Sequence, residues 1–147
     1  MRLVILSVLA VAAGTGICLY GGHLRGTDAA ASGYIEIFDI NEGRVVKQVE
    51  PDIKIQREAE KLLKDVSGLY TRLRPLPDSG LIVRIPLEPP ADIRNEWLNG
   101  CGITRIDALY VLLPGEGAPY LLVLDEEQRP WFFNFKGKPD RLLKYIL

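Results

Sequence analysis

The chain has 147 residues, enough for one compact domain and too few for two ordinary ones. Charged residues make up 25% and apolar ones 48%, with a formal net charge of −1, which is a folding composition and excludes a disordered chain. Beyond residue 31, 16 Lys and Arg are interspersed with 18 Asp and Glu; no basic stripe marks a nucleic-acid partner.

The N-terminus carries the strongest signal. Residues 3–22, LVILSVLAVAAGTGICLYGG, form an uncharged stretch. At about 1.5 Å per residue such a helix spans roughly 30 Å, the thickness of a bilayer's hydrocarbon core. Arg2 and the α-amino group favour a cytoplasmic N-terminus, which would put the rest of the chain outside. The competing reading is a signal peptide cleaved near Ala29-Ala30-Ala31. The apolar run is long for a signal and that site lies well beyond it, so we expect a retained transmembrane anchor over residues 1–22. Residues 23–33 are rich in Gly and Ala and read as a flexible tether. One domain is expected over residues 34–147.

The domain opens with YIEIFDINEGRVVKQVE, whose strand formers flank the turn Asn41-Glu42-Gly43 and predict a hairpin. Asp39, Asn41 and Glu50 also fall at ligand positions of a calcium loop, but Arg44 stands where that loop needs glycine and no helices flank it. Ile55, Ala59, Leu62, Leu63 and Val66 then make one apolar stripe at helical spacing. They predict a principal helix over about 52–67, opened by Pro51 or Asp52 and closed by Gly68. LYTRLRP and LIVRIPLEPP predict two strands around the turn Pro77-Asp78-Ser79-Gly80. Pro86 removes a ladder donor, so its strand should lie at an edge or leave the sheet there. Residues 91–105 give no periodic signal, and Trp97 stands among them without companions.

IDALYVLLP, PYLLVLDE and PWFFNF are three apolar runs separated by turn residues, a meander of antiparallel strands. KPDRLLKYIL predicts a terminal helix with Leu142, Leu143 and Ile146 inward. In a strand, Trp131, Phe133 and Phe135 share one face while Phe132 takes the other. Runs this apolar belong to strands buried on both faces, so the aromatic run reads chiefly as core. The principal helix would cover one face; the terminal helix, the hairpin or a second layer would cover the other.

Chemistry is narrowed by what is missing. The only histidine is His23 in the tether, which removes Ser-His-Asp and Cys-His nucleophile systems and most zinc sites from the domain. The sequence holds neither a G-x-S-x-G elbow, an S-x-x-K pair, a Walker loop nor G-x-G-x-x-G. Cys101 is the domain's only thiol, so no disulfide framework arises; it reads as a small buried residue near a turn. Carboxylates remain. Glu88, Asp92, Glu96 and Asp107 could pair as acid and base in a hydrolase-like site, although no spacing singles out a pair.

IFDINEGRVV, IVRIPLEPP and YLLVLDEEQRPWFFNF together resemble a family of small proteins of spore-forming Gram-positive bacteria, over nearly the whole chain including its N-terminal apolar segment. The resemblance implies a bacterial envelope location and carries no activity, substrate or cofactor.

We therefore expect an α+β domain with a mostly antiparallel sheet, one main helix and a short C-terminal helix, preceded by one transmembrane helix. It would be a non-enzymatic binding or scaffolding module at the cell membrane, exposed outside the cytoplasm, with an envelope protein or peptide as partner and without cofactor, metal or nucleic acid. Trp97, Pro89, Pro90 and Trp131 are the candidate contact residues. A carboxylate-dependent hydrolase of the cell envelope is the alternative.

Overall fold

The computed structural model describes residues 33–147; the expected anchor and nearly all of the expected tether fall outside the described residues. Among the described residues no helix is long and apolar enough to cross a membrane.

Seven strands form one sheet: β1 Ile35–Asp39, β2 Arg44–Val49, β3 Val66–Leu69, β4 Gly80–Asp92, β5 Arg105–Pro114, β6 Tyr120–Leu124 and β7 Pro130–Phe135. They lie in the order β2-β1-β4-β5-β6-β7-β3, and every neighbouring pair is antiparallel. The helices are α1 Ile53–Lys64, α2 Glu96–Gly100 and α3 Asp140–Ile146.

The β1–β2 hairpin forms as its turn residues require. Asp39 Oδ1 accepts from the backbone N–H groups of Asn41 and Glu42, and Gly43 takes φ 66°. The carboxylate is used locally, as an Asx turn uses it.

α1 buries the stripe Ile55, Ala59, Leu62 and Leu63. Asp52 caps it, with Oδ1 accepting from the N–H of Lys54 at 2.6 Å. The helix stops at Lys64 and not at Gly68. Asp65 closes it by donating its N–H to Lys61 O, and Val66 is already paired with Phe135 as an edge strand. Helical spacing cannot distinguish a last apolar residue of a helix from the first of a strand, so Val66 fitted both.

The strand expected at LYTRLRP is absent. Leu69 alone of that stretch lies in a strand; Tyr70 still donates its N–H to Phe132 O, and residues 71–79 then leave the ladder as an arch, where Pro75 and Pro77 have no N–H to offer a neighbour. Pro86, by contrast, lies in β4 near the middle of the sheet. β1 pairs with β4 only as far as Arg84, and the β4–β5 ladder is interrupted between Pro86 and Ala91. The strand is central, yet it departs from the ladder where its proline demands. At its start Gly80 has φ 111°, and a Cβ there would fall 2.1 Å from Leu113 O, so this position needs glycine.

The expectation of one main helix and a terminal one is corrected by α2. Five residues give too short a run for a 3.6-residue period to show, but Asn95 caps them and Leu98 is fully buried.

Pairing sorts the side chains into two faces. Ile37, Val83, Val111, Leu121 and Phe133 stand side by side across five strands and are all buried. They form one core with Ile55, Ala59, Leu62 and Leu63 of α1, Leu98 of α2, and Leu142 and Ile146 of α3. The terminal helix thus shares the face of the principal helix and does not cover the opposite one. That second face carries Phe38, Ile82, Tyr110, Leu112, Tyr120 and Leu122, also buried. The arch lies on it: Tyr70 stacks on Tyr120 with ring centroids 3.9 Å apart and 6° between planes. Phe133 is fully buried on the helix face with Trp131 and Phe135 partly buried beside it, so these three belong to the core, while Phe132 is half-buried on the opposite face.

Candidate functional site

The departure of β4 from the sheet makes a cleft. Pro86, Pro89 and Pro90 lack the N–H groups that would hold residues 87–90 against β5, so the backbone turns toward α1. Leu87 stays fully buried and fixes the turn from below. Gln56 holds it from α1: its Oε1 accepts from the Glu88 N–H at 3.3 Å, and its Nε2 donates to Pro89 O at 3.4 Å and to Glu60 Oε1 at 3.1 Å. One side-chain amide therefore serves the backbone that β5 no longer pairs.

Between this kink and the C-terminal half of α1 lies a cleft of about 400 Å³. Leu63, Ala91 and Ile93 supply its apolar lining, Pro89 and Pro90 its rings, and Glu60, Lys64, Asp92 and Arg94 its charges. Lys64, Asp92 and Arg94 are exposed, and among the described residues none of the four charged groups takes part in an ion pair. A smaller cleft of about 260 Å³ opens on the other side of Gln56, between Pro51, Ile53, Ile85 and Pro86.

Asn95 closes the far end and is the residue that sequence reasoning missed. Its Oδ1 accepts from the N–H groups of Trp97 and Leu98 at 2.9 and 3.3 Å, capping α2. Its Nδ2 donates to Lys64 O at 3.2 Å and to Val66 O at 2.9 Å, where α1 gives way to β3. A single amide joins three elements at the cleft. The legible signal is an asparagine three residues before an apolar residue, with Gly102 at φ 78° ending the unit.

Of the four candidate contact residues, the structure brings Pro89 and Pro90 together in the cleft. Trp97 is 42% exposed on α2, two residues from Asn95, and is outside the cleft lining. Trp131 lies apart from all three: it packs against the core, and its indole N–H donates to Asp125 Oδ2 at 2.9 Å.

The carboxylates are dispersed. Asp92 alone of Glu88, Asp92, Glu96 and Asp107 lines the larger cleft. Among the described residues the buried acid is Asp125, which organises the β6–β7 turn. Its Oδ1 accepts from the N–H groups of Glu127 and Arg129, both at 2.9 Å, and its Oδ2 from Arg129 Nε at 2.7 Å as well as from Trp131. These donors, the Trp131 indole foremost, lower its pKa from an ordinary 3.8 to about 2. A general acid requires the opposite shift, so Asp125 is a turn-builder. Among the described residues no group of His, Cys, Asp and Glu side chains is arranged to hold a metal. Cys101 is partly buried against the core.

No family model, curated protein or solved structure matches this chain.

Proposed function

We propose that the protein is a binding module held at the cell membrane by residues 3–22 and displayed outside the cytoplasm, and that the cleft between α1 and the β4 kink takes a polypeptide segment of an envelope partner. The observation that carries the reading is the cleft's composition. Apolar side chains and two proline rings sit beside two acids and two bases, and among the described residues these charged groups form no ion pair. Such a surface suits a chain with apolar and charged side chains of both signs; a nucleotide or polyanion would favour one sign. Gln56 braces the kink and Asn95 ties the far end of the cleft, so the partner meets a largely formed surface.

The test is site-specific photocrosslinking in intact cells with the full chain. A photoreactive residue at Arg94 should capture a discrete envelope protein, and the same residue at Asp107 should not. Asp92→Ala, at an exposed residue of the cleft lining, should lower the yield at Arg94 without changing the unfolding midpoint. Equal adducts at both positions, or none at Arg94, would overturn the assignment of the cleft. Digestion of a C-terminal tag by protease added to intact cells reads sidedness, and protection until lysis would sink the external placement.

A further inference from the structure

The arch between β3 and β4 is not used by the cleft. Its first foot is fixed where the Tyr70 N–H donates to Phe132 O at 2.8 Å and the Tyr70 ring stacks on Tyr120. The second foot is held by the Tyr120 hydroxyl, which donates to Pro75 O at 2.5 Å. The Arg72 guanidinium lies 5.4 Å from the centroid of the Tyr70 ring, which aligns the start of the tip. Between the feet stand Arg72, Leu73 and Arg74, all exposed, and Leu73 is 105% exposed, touching almost nothing of its own domain. Among the described residues neither arginine enters an ion pair.

A single exposed leucine needs no explanation. Here it is the apex of a braced arch, flanked by two cations and rooted on tyrosines. That is the order in which a bilayer surface is layered, with an apolar side chain for the acyl boundary and guanidinium groups for lipid phosphates.

We infer that the arch Arg72-Leu73-Arg74 docks on an anionic lipid surface and sets the orientation of the domain on its membrane. The inference rests on the membrane reading above. One leucine and two arginines are too few to recruit a domain from solution, but an anchor in the same chain keeps the surface close and makes a weak contact sufficient. The arch lies on the sheet face opposite α1. Docking it therefore leaves the helix face and its cleft open to partners.

The experiment uses the full chain reconstituted in phosphatidylcholine vesicles with and without phosphatidylglycerol. Leu73→Trp adds an indole at the apex, and its emission is read against the unsubstituted chain. With phosphatidylglycerol the added emission should shift to the blue and be quenched by brominated acyl chains. Arg74→Gln in the same background should weaken the docked-to-free ratio by roughly fivefold, the value of one arginine at an anionic surface. Flotation with neutral vesicles reads the anchor separately. A chain that floats while its added indole stays in water loses the arch. One that shows the shift with anionic lipid but fails to float with neutral vesicles loses the anchor and the premise that the arch needs one, while the contact of the arch with anionic lipid stands. One that does neither loses both. An equal shift in neutral vesicles, or one that follows protein density in place of lipid charge, also overturns the assignment.

Discussion

Asn95 offers the sharpest test of how the cleft is built, because its amide has two separable halves. The acceptor half caps α2 through Trp97 and Leu98; the donor half ties α2 to Lys64 O and Val66 O. Losing an asparagine cap costs about 1 kcal/mol. Each donated bond contributes about 0.5–1.5 kcal/mol, with the bond to Lys64 O at the lower end because it is exposed. Asn95→Ala should therefore destabilise by about 2–3 kcal/mol. Asn95→Asp keeps the cap, yet it replaces the donor with a carboxylate oxygen facing the two carbonyls. It should still cost about 1–3 kcal/mol, although the side chain keeps its size and shape. The assay is urea unfolding of the full chain in detergent micelles, followed by tryptophan emission. At slopes of about 1–3 kcal/mol per molar urea, the alanine variant should lose roughly 1–2 M in midpoint. An aspartate variant as stable as the parent would refute the reasoning, since the bonds to Lys64 O and Val66 O would then contribute nothing.

Phe133→Ala should destabilise by about 3–5 kcal/mol, because its ring is fully buried beneath the helices. Phe132→Ala, half-buried on the other face, should cost clearly less; equal losses in paired urea titrations would contradict the two-faced account of β7. Asp125 sets a pH dependence. Its folded pKa is depressed to about 2 from 3.8, so its stabilisation is complete above the upper value and disappears as pH falls toward the lower. Unfolding midpoints measured between about pH 5 and pH 2 should decline in that window. Asp125→Asn, which has no proton to take up, should flatten the decline, and an unchanged slope would remove Asp125 as its source.

Much of the architecture was legible because it is written in short periods. The stripe Ile55, Ala59, Leu62, Leu63 announced α1, the turn Asn41-Glu42-Gly43 announced the first hairpin, and the apolar runs after Ile106 announced the meander. The alternation that put Phe133 on one face and Phe132 on the other was legible for the same reason: a strand's side chains can alternate in only one way. Pro89 and Pro90 line the cleft, but nothing in their local spacing told them apart from the chain's other prolines as cleft residues.

What the sequence by itself determined, then, was the local order: which stretches are helical or extended, and which side chains on each share a face. Periodicity along the chain carries that information, because neighbouring residues set it. Tertiary structure alone decided that β3 pairs with β7 across more than sixty residues, that β4 is central despite its prolines, and that α3 joins α1 on one face. It also decided that the amides of Gln56 and Asn95 would serve backbone groups about thirty residues away. Those pairings depend on which unpaired donors and acceptors meet when distant segments pack, and no local spacing records that meeting.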